Sequence, residues 1–296
     1  YHRALAHLLI GDYATGWVDY ELRLISEDRP RCDGDFPRWD GSSLTGRMLL
    51  VRGEQGLGDE IMFASCLPEV IARSRRCIVE CSPRLEKLYC RSFPGADVVA
   101  STPDHVLPAA VTREAVDFEI PVASLPRHLR RSAGEFPSHR GYLKADPQRV
   151  AFWRKRLSQL GPGPKVGISW RGGTHKTRSP LRSLPLEHWL PILGTPGVNF
   201  FSVQYGDVVT DLSALEARDG FRVAHWREAI DDYDETAALW VGDRFFGRLA
   251  GFAGWPKFRR STGQLEGGLG RDDSGRRKGR AAGDLRPARA RSGDSL

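Results

Sequence analysis

The sequence predicts an α/β protein made of two parallel-sheet halves, and three observations carry that prediction. From residue 48 onward, short apolar strands alternate with helical stretches. The first half opens on the strand "RMLLV" and the glycine loop "GEQGLGD", and the second opens in the same way on "VGISW" and "RGG". At 296 residues the chain has room for two domains with cores of their own.

Ahead of the first strand, "YHRALAHLLIGDYATGWVDYELRL" carries Leu5, Leu8 and Leu9, breaks at Gly11, and resumes with Trp17, Tyr20 and Leu22, a helix, turn, helix pattern. Residues 25–46 are turn-rich. A helix to about Ala72 follows the glycine loop, then the strand "CIVECS", a short helix in "RLEKLYCRSF", the strand "ADVVAS", and "FEIPVASLPRHL" as a further strand and turn. "PQRVAFWRKRLSQLG" is an amphipathic helix ending at Gly161. A strand over 166–170, a glycine loop, the helix "LEHWLPIL" and the strand "VNFFSVQYG" then restart the pattern. Two Rossmann-like domains facing across a cleft, with a boundary near residue 150, are expected. After "DYDETAALW" the regularity fades. Beyond Trp255 there is no Ile, Val, Tyr, Met or Cys, so residues 256–296 are expected to be a disordered basic tail.

That tail also explains the net charge of +7, because it holds 11 Lys or Arg against 5 Asp or Glu and leaves 33 against 32 in the first 255 residues. A nucleic-acid partner is therefore not expected of the body. Five cysteines, Cys32, Cys66, Cys77, Cys81 and Cys90, form no C-x-x-C pair and no metal-ligand spacing, so no metal site is expected and reduced thiols in a cytoplasmic protein are. Cys77 and Cys81 share one side of their strand, which predicts burial. Nothing reads as a signal peptide, and no apolar run reaches the roughly 20 residues of a membrane span. The chain opens without Met inside a helical pattern and is expected to be a fragment.

The candidate chemistry sits in the two glycine loops. In the first, Gly53, Gly56 and Gly58 precede Asp59 at the mouth of a helix. Such a turn lets a substrate lie close to the backbone, and a carboxylate there can take a proton from a hydroxyl delivered within about 3 Å. The competing reading is that Asp59 or Glu60 only caps the helix. The G-x-x-G-x-G spacing is not the dinucleotide fingerprint, and no Lys-Ser or Lys-Thr follows to make a P-loop. The second loop carries Arg171, His175, Lys176, Arg178 and Arg182 among glycines, including Gly172 and Gly173. Clustered cations at the end of a parallel strand suit a diphosphate whose charge grows as it leaves, and a solvated basic loop is the competing reading.

The order "GDYATGWVDYELR", "FPRWDGSSLTGRMLLVRGEQGLGDEIMFA", "YLKAD", "VGISWRGGTHKTRSPLRSLPLEHWLPIL", "FFSVQ" and "DYDETAAL" resembles bacterial tetratricopeptide-repeat proteins with a glycosyltransferase-like domain related to the heptosyltransferases. The likeness spans about residues 1–239, with "GEQGLGDEIMFA" its most specific block. It implies the end of a helical tetratricopeptide-like repeat over 1–28, an N-terminal Rossmann-like domain over 29–150, and a partial C-terminal one over 151–255, together of GT-B type. It implies a nucleotide diphosphate sugar as donor, no cofactor or metal, a protein or glycan acceptor, and protein partners through upstream repeats. On the matching positions it implies Asp59 as general base. Donor or phosphate contacts would come from Arg171, Gly172, Gly173, His175, Lys176 and Arg178.

The chain departs from that family after "DETAAL". It reads "WVGDRFFGRLAGFAGWPKFRR" in place of the family's donor motif, with Arg248 where His is expected. A shifted reading frame, a functional basic tail and plain disorder all remain open for the last stretch. So does a second function class, a non-catalytic interaction scaffold built on the repeats with a vestigial transferase domain.

Overall fold

A computed structural model of the chain describes residues 1–25, 36–102, 116–138, 141–172 and 179–242. The tail at 256–296 and the departure from the family pattern beyond Gly242 lie outside them.

The N-terminus is a helical hairpin, α1 (His2–Leu9) and α2 (Tyr13–Tyr20), continued by a 3-10 turn over Glu21–Ile25. Asp12 caps α2 by accepting from the Thr15 N–H. Gly16 lets the two helices close together, since a Cβ there would lie 2.6 Å from the Leu8 side chain. Arg3 reaches across to Asp19 through two hydrogen bonds of 2.6 Å.

The first sheet has four parallel strands in the order β3-β2-β1-β4: β1 (Met48–Arg52), β2 (Arg76–Cys81), β3 (Asp97–Ala100) and β4 (Phe118–Pro121). Leu49 and Val51 face one core, while Met48 and Leu50 face another with Ile78 and Val116. Burial on both faces is what a parallel sheet needs and what an unbroken apolar strand encodes. Cys77 and Cys81 are buried, as their spacing predicts. The helix expected after the glycine loop is α3 (Leu57–Phe63), a 3-10 turn over Ala64–Cys66, and α4 (Leu67–Arg73). Pro68 causes the break: it brings no N–H to the helix and crowds the preceding turn. After β2 comes α5 (Glu86–Ser92), and after β4 come a 3-10 turn over Val122–Ser124 and α6 (Leu125–Leu129).

The amphipathic α7 (Pro147–Ser158) is capped by Asp146, which accepts from the Gln148 and Arg149 N–H groups. The second sheet follows with three parallel strands, β5 (Lys165–Ile168), β6 (Asn199–Ser202) and β7 (Ala224–His225). Phe200 and Phe201 face opposite cores, the latter packing on Trp226 with ring centres 5.8 Å apart. "LEHWLPIL" is a 3-10 turn over Leu186–Trp189 and a four-residue α8 (Leu190–Leu193), again with proline at the join. Sequence reading passed over α9 (Val209–Asp219), β7 and α10 (Arg227–Asp231), which precede α11 (Tyr233–Gly242).

The α10–α11 segment meets α5 and the turn before it. Arg84 donates to the Asp231 carbonyl at 3.2 Å and lies over the Tyr233 ring, and Arg91 holds both Asp234 oxygens at 2.5 and 2.7 Å. Helix α11 packs on α7, where Glu235 accepts from the Trp153 indole at 2.7 Å. The segment following β7 thus rests on the helix following β2 and the turn before it.

Candidate functional site

The loop after β1 leaves the carboxyl edge of the first sheet. Gly53 passes so close to β2 that a Cβ would lie 3.0 Å from the Glu80 carbonyl oxygen, so this glycine is demanded by packing. The Glu54 carboxylate accepts from Arg23 at 2.6 and 3.1 Å and from the Ala123 N–H at 3.2 Å. Gln55 turns the chain with φ of 67°, a left-handed conformation that costs a non-glycine residue roughly 1–2 kcal/mol. Its Oε1 accepts the Tyr20 hydroxyl at 3.2 Å.

Gly56 caps α3. The Asp59 Oδ2 reaches back to accept the Gly56 N–H at 3.3 Å, and the Asp59 N–H donates to the Gly56 carbonyl at 2.9 Å. Asp59 therefore does cap the helix, as the competing reading holds, yet it stays half-exposed. Gly58, beside it, also has an ordinary φ but differs from Gly53 in that, among the described residues, nothing lies within 4 Å of where its Cβ would be.

Beneath the loop lies a layer of buried charge. Burial pushes the Glu60 carboxyl up to about 7, opposed by the Ser82 N–H it accepts at 2.9 Å and reinforced by Glu80 and Asp59. Arg52 lies among Glu80 and Glu119, at 3.7 and 3.2 Å. Burial also lifts the Tyr20 phenol to about 12, to which the Asp59 charge adds. Tyr20 is a donor here, not a proton source near neutral pH.

The loop after β5 is organised by one side chain. The expected strand 166–170 stops at Ile168, because Gln204, 1 % exposed at the end of β6, takes over as hydrogen-bond partner. Its Oε1 accepts from the Trp170 and Arg171 N–H groups at 3.0 and 2.7 Å and from the Ser169 hydroxyl at 2.9 Å, while its amide donates to the Tyr205 carbonyl. Arg171 turns toward α9, pairing with Asp211 at 3.3 Å and donating to the Asp207 carbonyl. The Gly172 N–H donates to the Ser183 hydroxyl at 3.3 Å. Gly173, His175, Lys176 and Arg178 lie outside the described residues, as does the Arg182 side chain.

The sequence reading thus found both loops and missed what holds them: Arg23, Glu54, Ser124 and Gln204. Arg23 carried a signal, since an arginine inside the apolar run "LRLI" asks for a buried partner. A cavity of about 300 Å³ lies away from these loops, at the amino ends of the strands, lined by Trp39, residues 41–45, Ala72 and Arg73. Among the described residues no cluster of His, Cys, Asp or Glu could hold a metal ion, and no helix is long and apolar enough to cross a membrane.

No protein-family profile matches the sequence. Protein FlbA of Caulobacter vibrioides is 34% identical over 279 residues, covering 86% of this chain and 46% of that protein. The chain therefore spans about half the length of the curated relative it matches. Among solved structures, the bacterial iron-containing dodecameric glycosyltransferase TibC from enterotoxigenic E. coli H10407 is similar at 12% identity and a TM-score of 0.34, over 56% of this chain and 45% of that one. A structural likeness of that size carries no argument about this chain.

Proposed function

We propose that the chain is part of a glycosyltransferase of GT-B type that moves a sugar from a nucleotide diphosphate sugar to a hydroxyl on a protein or glycan, with the helical hairpin closing a tetratricopeptide-like array. The observation that carries this reading is Gly58. A glycine in the first turn of a helix costs about 0.5–1 kcal/mol against alanine unless something requires it. Among the described residues, neither backbone angle nor packing requires this one. Open space over the backbone, next to a half-exposed carboxylate at the carboxyl edge of a parallel sheet, suits a substrate that lies against the loop.

In this reading the acceptor hydroxyl gives its proton to the Asp59 carboxylate as its oxygen bonds to the anomeric carbon. The bond from that carbon to the diphosphate breaks, and its electron pair leaves with the nucleoside diphosphate. The donor diphosphate and its growing charge would be met by the residues that the resemblance implies, Arg171, Gly172, Gly173, His175, Lys176 and Arg178. Direct displacement inverts the anomeric centre.

Asp59→Asn tests the base role cleanly, because an asparagine oxygen can still accept the Gly56 N–H. We expect release of nucleoside diphosphate from a panel of nucleotide sugars to fall by roughly 10²–10⁴-fold, the share of a general base, with the urea midpoint unchanged. Turnover equal to the unsubstituted chain's would sink the assignment. The scaffold reading draws on the pairing of Arg171 with Asp211 and Asp207, which leaves that guanidinium engaged within the chain. It predicts no release before or after the substitution.

A further inference from the structure

We infer that Arg23 is a positioning residue that ties the N-terminal helical segment to the glycine loop, so that the placement of Asp59 depends on residues 1–25. The inference rests on the reading of Asp59 as the base. It makes the helical segment a working part of the transferase site and not a separate docking module.

The Arg23 side chain is 0% exposed. Its guanidinium donates to three separate stretches of chain: to Glu21 and the Tyr20 carbonyl on its own segment, to both oxygens of Glu54 in the glycine loop, and to the Ser124 hydroxyl beyond β4. Ser124 in turn donates to Glu21 at 2.8 Å, which closes the network. The next loop residue is gripped by the same segment, through the Tyr20 hydroxyl on Gln55. Residues 54 and 55, which set the turn into Gly56 and α3, are thus both held by residues 20–23.

Stability alone would not select this arrangement, because a buried ion pair is matched or bettered by well-packed apolar groups. What a fully engaged guanidinium supplies is geometry: a planar fork on a carboxylate fixes direction as well as distance. The residue it fixes lies immediately before the strained turn and five positions before Asp59. A displacement of about 1 Å in a catalytic group can cost on the order of 10²-fold in rate.

The test is amide hydrogen exchange on the full chain with Arg23→Gln and Arg23→Lys, alongside turnover of a nucleotide sugar. We expect exchange at the Gly56 to Glu60 amides to speed up about tenfold or more in Arg23→Gln, with β5 and β6 unchanged and Arg23→Lys in between, since an ammonium keeps the charge without the fork. We expect kcat to fall with the same ranking and KM for the donor to hold. Unchanged loop exchange, or acceleration spread equally over β5, β6 and α7, overturns the inference. If Asp59→Asn leaves turnover untouched, the base reading fails instead, and the exchange data still decide whether Arg23 holds the loop.

Discussion

The two glycine loops end equivalent strands of two parallel sheets, yet they are held in opposite ways. The loop after β1 is braced mainly from outside its sheet, by Arg23 and Tyr20 of the N-terminal segment acting on Glu54 and Gln55, with one further bond from the Ala123 N–H just past β4. The loop after β5 is braced from within, by Gln204 at the end of the adjacent strand. An external brace makes the first loop answerable to whatever the helical segment does. An internal brace makes residues 169–171 at the start of the second loop as firm as their own sheet and no firmer, which matters because among the described residues that sheet has three strands and one of them is two residues long.

The comparison breaks most visibly at Gln204. In Gln204→Leu the buried Trp170 N–H and the part-buried Arg171 N–H both lose their acceptor, and an unsatisfied buried donor costs about 1–3 kcal/mol. We expect a loss of about 3–4 kcal/mol in urea unfolding, with exchange rising in β5 and β6 while Gly56 to Glu60 stay protected. If the first loop loosened as well, the two braces would be one system and the contrast would fail.

A smaller effect tests the charge under the first loop. The Glu60 carboxyl titrates near 7 in the fold, well above its ordinary 4.5. The folded state therefore binds more protons than the unfolded one between those values, and stability falls as pH rises through that window. Glu60→Gln keeps an acceptor for the Ser82 N–H and removes the charge. We expect it to equal the unsubstituted chain near pH 4.5 and to exceed it by roughly 2–3 kcal/mol at pH 8. A parallel pH dependence for the two proteins would show that Glu60 ionises without penalty. Nothing comparable is expected of the second loop, whose brace is a neutral amide.

This contrast also shows what the sequence could and could not disclose. Strands β1 and β2 were legible because their apolar runs are buried on both faces, β3 to β6 because short apolar runs alternate with helical stretches, and Cys77 and Cys81 fell inward by spacing alone. Asp59 and its glycines were legible because the turn chemistry is local. The breaks at Pro68 and Pro191 were readable in principle, since a proline inside a helical pattern announces one. Arg23 announces a buried partner from within "LRLI", but that the partner is Glu54 was not readable, because their 31-residue separation leaves no periodic trace. Gln204 was hidden for a related reason: its partners, Trp170 and Arg171, lie across a strand crossover, and a lone glutamine after "FFSV" looks like any strand end. The short β7 offers too few residues for a pattern to form.

The smallest effect separates glycines that the chain needs from one that it does not. Gly53→Ala would push a methyl to 3.0 Å from the Glu80 carbonyl oxygen, and backbone on both sides leaves little room to yield. That variant should lose about 1–3 kcal/mol, the usual cost of overpacking. Gly58→Ala meets no described residue in the first turn of α3, where alanine is the better helix former. It should gain about 0.5–1 kcal/mol in urea unfolding. If Gly58 is there to admit a substrate, the same methyl raises KM or lowers kcat for the nucleotide sugar or its acceptor, so stability and turnover move in opposite directions. A variant that is both more stable and fully active would remove the observation on which the transferase reading stands, and would leave Asp59 as a helix cap.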